Sequence, residues 1–194
     1  SDRGGATNIY DPANSWTGAD GALHLRIADR AGRATCAEVN LTRSLGYGTY
    51  RFVIRETSNL PPLAVLGMFT WDGVAAEQNH REMDIEISRW GDPANKNAQF
   101  VIQPFYVPAN VERFKAPSGQ LTCSFRWEPG RVSFNTVHGK ESNRGSTPVA
   151  QHVFTSGVPS AGDELVHINL YVFGNNSSAG NESEVVIESF EFLP

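Results

Sequence analysis

Most of the chain alternates apolar and polar residues with a period of two, which is the pattern of β-strands that bury one face. In Thr49–Arg55, for example, Tyr50, Phe52 and Ile54 share one parity. Helical periodicity is almost absent. The alternation predicts ten strands, which are Ala22–Ile27, Thr35–Leu41, Thr49–Arg55, Leu63–Trp71, Glu82–Ser88, Ala98–Pro104, Leu121–Trp127, Val132–Val137, Val166–Phe173 and Glu184–Phe192.

Turn-forming segments separate these strands. The sequence contains 18 Gly and 11 Pro, and they recur in breaker clusters such as Asp92–Asn95, Pro117–Gly119 and Glu128–Gly130. So many short, regularly spaced strands fold either as two antiparallel sheets packed face to face or as a barrel. No internal repeat and no linker-like shift in composition divides the chain. The sequence therefore predicts a single all-β domain over residues 1–194.

Composition narrows the classes of partner. The chain has a formal net charge of −5, and its 16 basic residues are scattered. Binding of nucleic acid needs a concentrated Lys/Arg surface, so a nucleic-acid partner is not expected. No apolar stretch approaches the roughly 20 residues that span a bilayer, so no membrane partner is expected either.

The predicted strand Glu82–Ser88 carries two chemically different faces. Residues two apart in a strand point to the same side, so Glu82, Asp84 and Glu86 form a row of carboxylates. The residues between them are apolar, and we expect them to point into the core. Acids in such a row repel one another and raise one another's pKa values, which brings a purely structural strand no benefit.

Glycoside hydrolysis is a reaction that needs this arrangement. A retaining glycosidase uses two carboxyl groups about 5–5.5 Å apart, one as nucleophile and one as acid/base. The Cα atoms of Glu82 and Glu86 are about 13 Å apart in an extended strand, so their side chains must lean inward over a concave sheet. Asp84 between them would keep one Glu ionised and the other protonated. Taken alone, the same row also fits the solvated outer face of an edge strand.

Several further segments resemble the glycoside hydrolases of family 16, and specifically their bacterial lichenase-like members. Those enzymes carry a Glu-x-Asp-x-Glu strand, and the similarity extends over most of residues 20–192. The matching segments are Thr35–Val39, Leu45–Tyr50, Gly67–Trp71, Glu82–Glu86, Ala98–Phe100, Phe125–Gly130 and His167–Tyr171.

The resemblance implies a concanavalin A-like jelly-roll sandwich with a cleft across its concave sheet. It also implies that Glu82 is the nucleophile, Glu86 the general acid/base and Asp84 their electrostatic assistant. The implied substrate is β-1,3 or mixed β-1,3/1,4-glucan, cleaved internally with retention of configuration. Further expectations are a secreted or periplasmic monomer that requires no cofactor. A structural Ca²⁺ on the convex side is common in such folds, but the sequence identifies no metal ligands.

Four positions depart from the family's pattern. Asn40 stands where a basic cleft residue is common, His80 and Tyr171 stand where aromatic residues or Trp are usual, and Val101 replaces a polar cleft residue. A cleft with fewer aromatic platforms binds glucan less tightly or prefers another sugar. Two alternatives therefore stay open: a lectin-like jelly roll that binds polysaccharide without cleaving it, and an enzyme that acts on galactan or xyloglucan or transfers glycosyl chains.

Parity and resemblance together select eight candidate substrate-binding residues. Aromatic rings stack on the apolar faces of sugars, and carboxylates and amides hydrogen-bond sugar hydroxyls. Phe69 and Trp71 could instead fill the core, and His80 could be an ordinary solvated loop residue; Trp127 is assigned to the core. The candidates are Glu38, Phe69, Trp71, His80, Trp90, Gln103, Asn169 and Tyr171.

Parity also bears on the two cysteines. Cys36 lies with Glu38 on the polar face of its strand, whereas Cys123 lies with Phe125 and Trp127 on an apolar face. Side chains on different faces of the layers do not meet the Cβ spacing of a disulfide. Two free thiols are therefore predicted.

Overall fold

The structure is a computed structural model that describes residues 8–57, 59–140, 146–174 and 178–194. Three short 3-10 helices connect strands in this part of the chain, at Pro12–Asn14, Ala76–Arg81 and Pro108–Asn110. No described helix is long and apolar enough to cross a membrane. The strands are β1 Ile9–Tyr10, β2 Ser15–Thr17, β3 Leu23–Arg30, β4 Arg33–Asn40, β5 Gly48–Ile54, β6 Ala64–Trp71, β7 Met83–Ile87, β8 Ala98–Ile102, β9 Val111–Phe114, β10 Leu121–Glu128, β11 Arg131–His138, β12 Thr147–Phe154, β13 Leu165–Val172 and β14 Ser183–Leu193.

The strands pair into two layers. The outer sheet has the order β12-β11-β10-β5-β14-β3, and the cleft sheet has the order β4-β13-β6-β7-β8-β9. The antiparallel pair β3–β4 joins the two layers, while β1 adds to β4 and β2 adds to β3. The predicted all-β jelly-roll sandwich is confirmed.

Alternation along the strands builds the core between the sheets. On β7, Met83, Ile85 and Ile87 are buried and belong to one apolar cluster with side chains of the outer sheet. The rings of Phe100 on β8 and Phe134 on β11 stack across the interface with centroids 5.0 Å apart. Residues of the opposite parity on the cleft sheet face the concave side, where the cleft lies.

All ten predicted strands are present, with ends shifted by up to three residues. The prediction missed β1, β2, β9 and β12. Strands of two to four residues are too short to show alternation. In β12, Pro148 interrupts the pattern, and such a residue is tolerated because β12 is the edge strand of the outer sheet.

The predicted free thiols are confirmed, since Cys36 and Cys123 are both free and buried. Cys123 lies in the core, where the Thr136 hydroxyl is 3.5 Å from its Sγ. Cys36 shares its face with Glu38 by register but is fully buried, and its thiol donates to Asn8 Oδ1 at 3.5 Å. Trp127 is a core residue, as predicted, and its indole N–H donates to the Pro159 carbonyl at 3.1 Å.

Candidate active site

The three carboxylates lie in the middle of the cleft sheet. Strand β7 is flanked on both sides, by β6 and β8, which excludes the reading of Glu82, Asp84 and Glu86 as the solvated face of an edge strand. Their exposed fractions are only 5%, 1% and 7%. Burial of three carboxyl groups is costly in free energy unless polar partners offset it, so their immediate partners decide what this row can do.

Amide groups from β8 and from the residue just after it hold two of the carboxylates. Gln99 Nε2 donates to Glu86 Oε2 at 2.6 Å, and Gln103 Nε2 donates to Asp84 Oδ2 at 2.9 Å. Gln103 is itself oriented by the Phe105 N–H, which donates to its Oε1 at 2.9 Å. The first of these contacts follows from antiparallel pairing, because Glu86 stands opposite Gln99 in the register. Amides donate to an ionised carboxylate without neutralising its charge.

A strained turn positions Glu82 just ahead of β7. The three preceding residues, Asn79, His80 and Arg81, all have positive φ angles, of 50°, 58° and 51°. Such backbone costs about 1–2 kcal/mol per non-Gly residue and persists only where its surroundings fix it. Glu82 itself is extended, with φ −88° and ψ 125°, and therefore continues the alternation of β7.

The guanidinium of Arg81 fixes this turn. It donates to Asp72 Oδ2 at 3.0 Å and to Gln78 Oε1 at 2.9 Å, and it contacts the carbonyl of Ser160. The hydroxyl of Thr70 on β6 donates to the Arg81 carbonyl at 2.8 Å. Burial would raise the pKa of Asp72, but the Val74 N–H and the Arg81 guanidinium outweigh it and lower that pKa.

His80 and Trp71 cover each other at one end of the row. Their rings stack with centroids 4.1 Å apart and an interplanar angle of 12°. His80 Nδ1 lies 2.8 Å from the Asp72 carbonyl oxygen, so that nitrogen carries the proton it donates. Trp71 is half-buried on the cleft side, and one face of its indole is occupied by His80.

Glu38, His167 and Asn169 form a polar cluster on the other side of the row, on β4 and β13. His167 Nδ1 donates to Glu38 Oε1 at 2.8 Å, and Asn169 Nδ2 donates to Glu38 Oε2 at 3.4 Å. Burial raises the pKa of Glu38, but the hydrogen bonds from His167 and Asn169 and nearby positive charge together outweigh burial, so the pKa is lowered. Glu38 is therefore an ionised acceptor, and Asn169 Oδ1 is a buried acceptor with no hydrogen-bond partner among the described residues.

Phe69 lies on the cleft face but offers no open platform. It stands opposite Asp84 in the register and is outside the core cluster, which excludes the core-filling alternative. Its ring stacks on His167 with centroids 5.1 Å apart, and only 2% of the residue is exposed. Its predicted role as a sugar-stacking ring would require His167 to move.

Gly67 opens the floor of the cleft between Glu86 and Asn169. It stands opposite Glu86 on one side and opposite Asn169 on the other. A Cβ at this position would lie 2.5 Å from Asn169 Oδ1. Because any side chain here would collide with the amide, the glycine keeps the polar cluster and the carboxylate row in one continuous groove.

A cavity of about 450 Å³ adjoins Glu86 toward the β9 edge of the cleft sheet. Trp90 lies on its wall, although β7 ends at Ile87, so its position does not come from a continuation of that strand. A left-handed turn with φ 55° at Trp90 brings the indole there instead, against Phe173. The lining residues are Glu86, Trp90, Gln99, Gln103, Phe105, Pro108, Val111, Arg113, Tyr171 and Phe173.

The structure thus gathers all eight predicted binding residues around the carboxylates but leaves them unequally accessible. Tyr171 is 1% exposed and Phe69 2%, whereas Trp71, His80, Trp90 and Gln103 are half-buried. Sequence reasoning missed three polar neighbours, Gln99, His167 and Arg113. Gln99 and His167 lay within matched segments but were not singled out. Arg113 was hidden because the four-residue strand β9 was not predicted.

No metal centre is apparent in the described ranges, where no group of three or more His, Cys, Asp or Glu side chains is placed to bind an ion. A Ca²⁺ site built from backbone carbonyls, as expected from the resemblance, stays a prediction.

Comparison with solved structures finds the same fold in bacterial β-glucanases. A Bacillus licheniformis β-glucanase superposes with a TM-score of 0.70 at 18% identity, over 99% of this chain and 88% of that one. A prokaryotic β-1,3-1,4-glucanase (lichenase) from a mouse hindgut metagenome gives 0.70 at 18%, over 100% and 89%. An immunostimulatory antigen and pseudo β-1,3-glucanase of Mycobacterium tuberculosis gives 0.69 at 16%, over 95% and 80%. No protein-family model matches the chain, and no curated protein matches it in sequence.

Proposed function

We propose that the protein is an endo-acting retaining glycoside hydrolase of β-1,3 or mixed β-1,3/1,4-glucan. The observation that carries this proposal is the buried row Glu82, Asp84 and Glu86 at the centre of an open groove. Burying three carboxyl groups opposes folding, so a role in chemistry explains the arrangement better than a structural one. The fold shared with β-glucanases agrees with it.

In the proposed reaction, the Glu82 carboxylate attacks the anomeric carbon while Glu86 donates its proton to the departing glycosidic oxygen. The bond to the leaving sugar breaks, and a covalent glycosyl ester forms on Glu82. Glu86 then removes a proton from water, which attacks the same carbon and releases Glu82. Because two inversions occur, the anomeric carbon keeps its configuration. Both roles use carboxyl groups alone, so we further propose that no cofactor takes part; dialysis against EDTA should leave the rate unchanged.

Asp84 stands between the two glutamates on the same face, and Gln103 holds it. A charge at this position disfavours simultaneous ionisation of its neighbours. It thereby supports the division into one ionised and one protonated glutamate that the two steps require.

The test is release of reducing sugar from laminarin, lichenan, xyloglucan, agarose and carrageenan, by the wild type and by Glu82→Gln. The matched control is Glu191→Gln, which removes an exposed acid that pairs with Arg51 on the outer sheet. We expect release from a glucan that Glu82→Gln abolishes and Glu191→Gln retains. Full activity of Glu82→Gln would refute the assigned nucleophile. Release from agarose or carrageenan alone would replace the glucan assignment, and lengthened products on chromatography would identify glycosyl transfer.

A second candidate function is binding of polysaccharide without cleavage. Two observations favour it: His167 covers Phe69 and His80 covers Trp71, so the groove offers little stacking surface beside the acids. One neighbour of the same fold is described as a pseudo β-1,3-glucanase. Retarded migration in a glucan-containing native gel, without product release from any polymer, would support this candidate over the hydrolase.

A further inference from the structure

A chain of side-chain hydrogen bonds connects Glu86 to an arginine two strands away. Glu86 on β7 stands opposite Gln99 on β8, and Gln99 stands opposite Arg113 on β9. Neighbouring strands are about 4.8 Å apart, so these three side chains lie side by side on the cleft face. Gln99 Nε2 donates to Glu86 Oε2 at 2.6 Å, and Arg113 Nη1 donates to Gln99 Oε1 at 2.8 Å.

The arginine is itself held in place. Arg113 Nη2 donates to the Lys96 carbonyl at 2.6 Å, and Lys96 Nζ donates back to the Arg113 carbonyl at 3.2 Å. Arg113 is half-buried in the wall of the cavity beside Glu86. Burial lowers the pKa of this guanidinium, and the Glu86 charge raises it in part, so the two groups interact electrostatically.

Arginine decides which way the Gln99 amide faces. A glutamine amide presents a donor at one end and an acceptor at the other, whereas a guanidinium has donors only. Arg113 therefore attracts the carbonyl end and leaves the NH₂ end to face Glu86. The reversed amide would present an acceptor to Glu86 and would favour its protonated form. In the observed orientation the donor favours the ionised form, and the nearby cation strengthens this hydrogen bond.

We propose that Arg113 is a positioning residue that orients the Gln99 amide and thereby lowers the proton affinity of Glu86 and fixes its carboxyl group. The role of Glu86 as acid/base, on which this inference rests, comes from the proposed function. Glu86 must be protonated to act as an acid, so its proton affinity sets the alkaline limit of activity. Loss of the Arg113 charge and donors should shift that limit to higher pH.

Other ionisable groups on the same face also act on Glu86, so the test must isolate the contribution of Arg113. Glu38 and His167 are bonded to each other, and Asp84 is bonded to Gln103. Neither hydrogen bond includes Arg113. The ionisable groups on the cleft face around Glu86 are Glu82 just ahead of β7, Asp84 on β7, Arg113 on β9, His167 and Tyr171 on β13, and Glu38 on β4.

The first measurement is the pKa of Glu86 by ¹³C NMR of labelled glutamate carboxyl groups, with the resonance assigned by its loss in Glu86→Gln. It needs no substrate. We expect Arg113→Met to raise the pKa on the order of half a unit or more, and Arg113→Lys, which keeps a charge and donors, to restore most of it. The control Arg131→Met removes an exposed arginine that pairs with Glu128 on the outer sheet, and should change nothing.

A second variant guards against an effect of folding alone. Gln99→Leu removes the amide that connects the two groups, so Arg113→Met should shift the pKa of Glu86 much less in that background. An unchanged pKa in folded Arg113→Met, or equal shifts with and without Gln99, would overturn the proposal.

The pH dependence of kcat/KM is the companion readout, and its alkaline limb should move with the pKa. A pKa shift in a protein that hydrolyses no polymer would support the positioning role and refute the proposed hydrolase. Hydrolysis without a pKa shift in Arg113→Met would support the proposed hydrolase and refute the positioning role of Arg113.

Discussion

The two faces of strand β7 are equally buried and chemically opposite. Met83 and Ile85 are fully buried against the outer sheet, and Asp84 and Glu86 on the other face are 1% and 7% exposed. Burial of the apolar side chains stabilises the fold by about 1.5–3 kcal/mol each. Burial of the carboxyl groups costs free energy that amide donors such as Gln99 offset only in part. The apolar face of β7 therefore stabilises the fold, and the carboxylate face destabilises it.

Loss of activity and loss of stability should therefore separate along this one strand. Replacement of an acid should remove function and leave folding intact, because an amide needs less desolvation than a carboxylate. Replacement of an apolar neighbour should do the opposite. Variants on the two faces of β7 test this separation.

Glu86→Gln should reduce hydrolysis of a polymeric glucan by about 10²–10⁴-fold, the usual contribution of a general acid. Stability should not fall, because Gln99 Nε2 finds an amide oxygen in place of the carboxylate. An aryl glycoside with an acidic leaving group needs little protonation, so its first step should be nearly unaffected. Azide, which needs no general base, should accelerate release of the glycosyl intermediate. Equal losses on polymer and aryl substrate would argue against the acid/base role.

Ile85→Ala should lower the free energy of unfolding by about 2–5 kcal/mol, the usual cost of a cavity in a packed core. Ile85 is fully buried between Met68 on β6 and Phe100 on β8. Urea denaturation measures the change, and kcat of the folded variant should stay near that of the wild type. Val74→Ala is the control, because Val74 is 84% exposed. A decrease in the free energy of unfolding below about 1 kcal/mol would show that this face of β7 contributes little to the packing of the core.

Gly67→Ala should impair the cleft more than the fold. The added methyl group would lie 2.5 Å from Asn169 Oδ1 and must displace that amide from beside Glu86. The expected result is a KM raised about 10- to 100-fold and a stability loss of about 1–3 kcal/mol. Gly73→Ala is the control, since a Cβ there meets no atom within 4 Å. Unchanged KM would mean that substrate does not approach this floor.

The separation of the two faces was readable from the sequence because strand parity is local. Alternation alone placed Ile85 in the core and Glu86 on the opposite face, and the structure agrees. Strand parity would reach Trp90 only if the strand continued past Ser88, and it does not. The chain turns there instead, with φ 55° at Trp90, and sequence periodicity carries no sign of such a turn.

Local sequence patterns could not predict contacts between strands that are distant in sequence. Arg113 reaches Gln99 through β9, a four-residue strand whose apolar and charged residues give too few repeats to show a period. His167 covers Phe69 because β13 pairs with β6, which parity along either strand cannot reveal. The family resemblance assigned Phe69 to the cleft face, which the register with Asp84 supports, while its accessibility depended on His167, about 100 residues away in sequence.

The two thiols should show the smallest effect in this comparison of strand faces, because a thiol carries no charge below its pKa. Cys36 shares the strand parity of Glu38, but it belongs with Cys123 to the buried core cluster, and burial raises the pKa of each to about 11. Exclusion of water raises the pKa of a buried thiol, whichever face of its strand carries the side chain. Both thiols should therefore react slowly with Ellman's reagent at pH 8 in the native protein and rapidly in urea.

Stability should decline as these thiols approach ionisation. Above about pH 9 the unfolded chain loses the thiol protons while the folded chain keeps them, so the unfolded state binds fewer protons and stability falls as pH rises. Urea denaturation between pH 8 and 10 should show a loss on the order of 1 kcal/mol per thiol. The double variant Cys36→Ala/Cys123→Ala should lack that part of the slope. Identical slopes in both proteins would mean that both thiols are accessible to water in the folded protein.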